Sequence, residues 1–209
     1  MPFHYTAALE EVLWDLARHV PELAHLDPAR IFVSLAEARQ RTRHGIYAKV
    51  LPSRGDWAMP PTPGRAGPGT DTLLVPHGAS AEFSYQGRRG LYLMYFYLPR
   101  FHDQSFQGKV STVIHECYHI SPGFDGRLRR LEGGRAHGRS LKAYERTMDA
   151  MAARYLEIRG DWPALEFLKL STEELIRTRG TLFGLRIQEP GSWPPEPSDC
   201  DGPRGFRGV

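Results

Sequence analysis

The sequence predicts an α+β fold, a small antiparallel sheet packed on helices, one of which carries two histidines and a glutamate. Three features predict it. Apolar residues recur at helical spacing in two long segments, 6–19 and 140–159. Short β-rich runs stand at 31–35, 44–51 and 91–98. Between the last run and the second long helix, residues 110–120 join a helical apolar stripe to the sequence His115, Glu116, Cys117, Tyr118, His119.

Length and composition set the frame. At 209 residues the chain suits one domain over 1–188, followed by a Pro/Gly-rich stretch, 189–209, expected to be disordered. A hydrophobic content of 41% with 24% charged residues is that of a globular protein, and no apolar run is long enough to span a bilayer. The first residues lack a basic stretch leading into an apolar one, so no secretory signal is expected. Only Cys117 and Cys200 could form a disulfide; the first lies in a helix and the second in the polar tail, so a reduced, cytoplasmic setting is expected. The formal charge of +3 and a pI near 8.9 permit an acidic partner without requiring one. Two basic clusters, Arg39, Arg41, Arg43 with His44 and Arg127, Arg129, Arg130, Arg135, Arg139, are read first as solvated faces, which leaves nucleic-acid binding weakly supported.

The elements follow in order. Thr6 is the expected cap of the first helix; Leu9, Val12, Leu13, Leu16 and Val20 form its buried stripe, and Pro21 stops it. Strands over 31–35 and 44–51 come next, the second alternating Ile46, Ala48 and Val50 with Tyr47 and Lys49. Five prolines and four glycines between 52 and 71 make a long surface loop, with a short extended piece at 72–75. The run 91–98 is apolar and aromatic throughout, as in a central strand covered on both faces, and Pro99 ends it. Pro122, Gly123 and Gly126 force a turn after His119. Ser140 caps a helix whose stripe is Leu141, Tyr144, Met148, Met151, Ala152 and Tyr155, closed by Gly160. Two short helices begin near Asp161 and Ser171, the second with capping-box spacing to Glu174, and 182–187 is an edge strand.

His115 and His119 lie four apart, so a helix stacks them on one face, where two imidazoles can share a metal ion. Glu116 stands where a carboxylate can take a proton from water at that ion; this is the H-E-x-x-H pattern. Val110, Val113, Ile114 and Cys117 give the same helix a buried stripe, and a polar cluster on a buried helix is costly unless chemistry retains it. A catalytic zinc keeps three protein ligands and one open position. Asp125, six residues after His119, and His137, eighteen after it, both qualify as the third.

Glu116 between two histidines, followed by His137 and Gly138 at a helix entry, resembles the SprT-like metallopeptidases and similar metallopeptidases of phages and bacteria. The likeness spans residues 6–159. It implies a zincin-like fold, a zinc ion held by His115, His119 and His137, Glu116 as catalytic base, and a protein or peptide substrate. On that ground His137 is preferred to Asp125, which could instead orient a ligand histidine. The tail lacks the cysteine-rich ribbon with which many SprT-like proteins bind DNA. Tyr118, Tyr144 and Arg139 are candidates to assist the developing oxyanion, although a structural role is favoured for each. The main alternative is a non-catalytic zinc-binding or nucleic-acid-associated module of the same shape. A deformylase would need a cysteine ligand upstream of Cys117, and a metal-dependent nuclease using Asp125 would leave Glu116 without a role.

Overall fold

The computed structural model describes residues 2–38, 45–54, 83–131 and 140–187. Strand β1 (Phe3–His4) runs straight into helix α1 (Tyr5–His19). His4, not Thr6, caps it: its imidazole accepts the Ala7 N–H at 3.2 Å, satisfying an amide that the first turn leaves unbonded. Thr6 is instead buried inside the helix, and its hydroxyl accepts the Leu185 N–H.

Strands β2 (Ile31–Glu37) and β3 (Ala48–Pro52) are followed by β4 (Phe83–Tyr85), β5 (Arg88–Gly90) and β6 (Tyr92–Leu98). The second expected strand therefore starts later, at Ala48. The β4–β5 hairpin turns at Gln86 and Gly87, both with positive φ, without the Asn-Gly or Asp-Gly pair that would have marked it in the sequence. The main sheet has the order β2-β6-β3, with the aromatic strand at its centre as its composition predicts.

The sheet is mixed rather than antiparallel. Strand β6 lies antiparallel to β3, Ala48 opposite Phe96, but parallel to β2, Ile31 opposite Tyr92. Parallel neighbours need a long crossover and cover on both faces. The chain between β2 and β6 supplies the first. The second comes from two cores: Tyr92, Met94, Phe96 and Leu98 face the helices, while Leu93 and Tyr95 join Phe32, Leu51 and Phe83 on the opposite face.

Helices α2 (Phe106–Tyr118), α3 (Leu141–Arg159), α4 (Glu166–Lys169) and α5 (Thr172–Arg179) complete five α-helices among the described residues. Ser105 opens α2, Ser140 caps α3 through the Ala143 N–H, and Ser171 with Glu174 forms the expected capping box. The last strand, β7 (Leu182–Phe183), is shorter than expected and pairs with β1 outside the main sheet. Beyond it the chain still flanks β2: Leu35 donates to the Leu185 carbonyl, and Ile187 N–H to Ser34 Oγ, both at 2.8 Å.

Buried Lys109 fixes the start of α2. Its Nζ donates to the carbonyls of Leu168 and Leu170 at 3.0 and 2.5 Å, where α4 runs out of intrahelical partners. Nearby, Tyr5 Oη meets His102 Nδ1 at 2.7 Å inside the core. Burial, reinforced by Lys109, lowers the His102 pKa to about 3. An unfolded histidine takes its proton near 6.5, so between about pH 3 and 6.5 the unfolded chain holds the extra proton. This contribution to stability is therefore complete above pH 6.5 and is lost as pH falls towards 3. Between pH 6.5 and 4.5 the expected loss is roughly 2–3 kcal/mol. Urea midpoints of wild type and His102→Asn should diverge in slope over that range; parallel curves would refute the assignment.

No described helix is long and apolar enough to cross a membrane. The expected loop beyond residue 54, the piece at 72–75, the Arg39–Arg41–Arg43 cluster with His44, and the tail 189–209 lie outside the described residues.

Candidate metal centre

Helix α2 divides its surface as its spacing requires. Val110, Val113, Ile114 and Cys117 are fully buried against the sheet and neighbouring helices. The adjoining face brings His115 and His119 together, both half-buried, with ring centres 4.7 Å apart and planes at 71°. Two imidazoles bound to one tetrahedral zinc, each nitrogen at about 2.0–2.1 Å, would set their ring centres roughly 5 Å apart. The spacing of the ring centres is close to that of two imidazoles on one ion.

Glu116 lies one residue round the helix, 8% exposed, in the contact between α2 and β3. Burial raises its pKa to about 7, against the smaller opposing effect of a hydrogen bond from the Val50 backbone. A carboxyl balanced near neutrality is suited to accept and return a proton. Nothing in the sequence near Val50 foretells this contact; it arises because β3 is the sheet edge nearest α2. The Cys117 thiol points into the core, and burial, then Glu116, push its pKa up. It is chemically quiet.

Helix α3 supplies the facing wall. Tyr144, 6% exposed, sets its ring 5.0 Å from that of His115 at 80° and 5.7 Å from that of His119 at 22°. Tyr118 packs on the same ring at 5.8 Å, with the Arg129 guanidinium 3.9 Å over its own face. Burial, and secondarily Glu116, hold the Tyr144 hydroxyl well above the ordinary tyrosine range.

The loop after α2 is tied down on leaving His119. Arg129 N–H donates to the His119 carbonyl at 2.6 Å, and Ile120 bridges Leu128. The Tyr92 phenol fills the neck of this loop, accepting the Gly126 N–H at 3.0 Å and donating to the Arg127 carbonyl at 2.8 Å. Gly126 has φ +82, and a Cβ there would meet Ser53 Oγ at 2.5 Å, so glycine is required at this turn. A tyrosine in an aromatic strand gave no sequence sign of this role.

Asp125, the alternative third ligand, turns into its own loop. One oxygen accepts the Arg127 N–H at 3.2 Å, and the other lies 3.8 Å from the Arg127 guanidinium. Among the described residues no three His, Cys, Asp or Glu side chains gather around one point. His137 lies outside the described residues, as do Arg135, Arg139 and Cys200. Among the described residues, the structure thus pairs His115 with His119, sets Tyr144 against both and Glu116 next to His115 along α2, gathers no three ligands around one point, and turns Asp125 into its own loop. Comparison with protein-family models, curated proteins and solved structures gives no match for this chain.

Proposed function

We propose that the chain is a zinc-dependent metallopeptidase of minimal zincin type, similar to the SprT-like enzymes, acting on a protein or peptide in the cytoplasm. One observation carries the reading: two imidazoles 4.7 Å apart on successive turns, with a buried carboxyl near neutral pKa beside them on the same helix. His115 and His119 are two of the ligands, and His137 is the candidate for the third. Zinc held there supplies Lewis acidity to the scissile carbonyl and the attacking water.

The chain's own groups carry the protons. Glu116 takes one from the attacking water as the C–O bond forms and returns it to the departing amine as the C–N bond breaks. Its burial keeps that proton from bulk solvent, and the Val50 N–H holds the carboxylate in place between transfers.

The test is zinc content and casein turnover on the same preparations. Wild type should carry one zinc per chain and cleave casein; His115→Ala, His119→Ala and His137→Ala should lose both. A protein that binds no zinc sinks the proposal. Zinc without turnover of any protein substrate points instead to a non-catalytic zinc-binding module.

A further inference from the structure

The imidazole pair needs more than helical spacing to point at one ion. Each histidine turns about two side-chain bonds, and the broad second torsion is the one that aims the ring nitrogen. Half-buried side chains on a helix face keep much of that freedom unless something packs against them. Among the described residues, Tyr144 packs beside both rings. It meets His115 edge-on, centres 5.0 Å apart at 80°, and lies offset and nearly parallel to His119, centres 5.7 Å apart at 22°. Because the contacts differ in kind, turning either imidazole would drive it into the tyrosine ring or open a gap beside it.

Tyr144 is itself held. It is 6% exposed, it belongs to the apolar stripe of α3, and Tyr118 packs on it from α2, with Arg129 stacked on that second ring. The tyrosine is thus part of the packed seam between α2 and α3.

We infer that Tyr144 is a positioning residue for the candidate metal centre, its aromatic ring fixing both imidazoles in the ligating orientation. The inference rests on the metal reading above and deepens it. It assigns the role to the ring and not to the hydroxyl, which separates it from a catalytic proton donor at the same position. Removing a residue that orients metal ligands typically costs about 10–100-fold in metal affinity.

The experiment compares zinc affinity, by competition with a chromophoric chelator, and the visible spectrum of the cobalt-substituted protein. Wild type, Tyr144→Phe and Tyr144→Leu are measured, with folding checked by circular dichroism. Tyr144→Met fills the space without a flat ring and replaces the leucine variant if that one does not fold. The expected result is wild-type affinity and spectrum for Tyr144→Phe. The ringless variant should bind about 10–100-fold more weakly, with an altered cobalt spectrum. Unchanged binding and spectrum in the ringless variant overturn the inference, and so does a phenylalanine variant as weak as the ringless one. Wild type that binds neither metal overturns the metal reading itself, a result distinct from both.

Discussion

Glu116→Gln should keep one zinc per chain and lower casein cleavage by about 10²–10⁴-fold. Glutamine has nearly the same shape, and its carbonyl oxygen can accept the Val50 hydrogen bond, so the helix and the two imidazoles stay in place. It cannot take up a proton. A second consequence separates this variant from a merely damaged protein. The Glu116 pKa is raised to about 7, so from about pH 4.5 upward the folded chain holds a proton that the unfolded chain has released. Stability therefore falls as pH rises through that range, and a neutral amide removes the loss. In the chelator-treated protein at pH 7–8, Glu116→Gln should melt a few degrees above wild type. Activity lost with stability gained is the signature of a group retained for chemistry at some cost to the fold. Full turnover in the variant would remove Glu116 from the mechanism.

Among the substitutions, the largest loss of stability is expected at Asp15. Its side chain, on α1, is buried, and three residues converge on it, His19 from the same helix and Tyr155 and Arg159 from α3. Tyr155 Oη donates to Oδ2 at 2.7 Å, Arg159 donates through Nε and Nη2 at 3.0 and 2.8 Å, and His19 Nδ1 lies 3.2 Å from Oδ1. Asp15→Ala leaves the buried Tyr155 hydroxyl without its acceptor, at a cost of about 1–3 kcal/mol, and returns the part-exposed Arg159 guanidinium to water. For a chain of this size that lowers Tm by roughly 5 °C. Denaturant unfolding measures it directly. A loss under about 1 kcal/mol would mean that Tyr155 too recovers its bond from water. Because this clamp lies away from the histidines, zinc affinity below the melting range should not change.

The parts of the fold legible in the sequence were those fixed by local chemistry. Pro21, Ser140, Gly160 and the Ser171–Glu174 pair stand at the ends they mark, since caps and breakers act within a turn. The doubly apolar run at Tyr92–Leu98 is central for the same kind of reason. Strand direction was not legible: an apolar strand reads the same whether its neighbour runs up or down, and the parallel β2–β6 pairing depends on the path of the connection. The cap at His4 was missed because imidazole is an unusual acceptor at a helix start. At the site, spacing sufficed to put His115 and His119 on one face. What closes over them comes from other elements: Val50 from β3, Tyr144 from α3 and Tyr92 from β6 are distant in sequence, and only the folded chain sets them beside α2.

The order β2-β6-β3 has a kinetic consequence. No two neighbours in this sheet are consecutive strands, so neither pairing can form as a local hairpin, and each must close a long loop before any ladder bond is gained. The strand that completes both pairings, β6, is also the one that leads into α2. Docking of β6 therefore also brings the chain that leads into the histidine helix up to the sheet. A chain interrupted before residue 92 has β2 and β3 but nothing to join them.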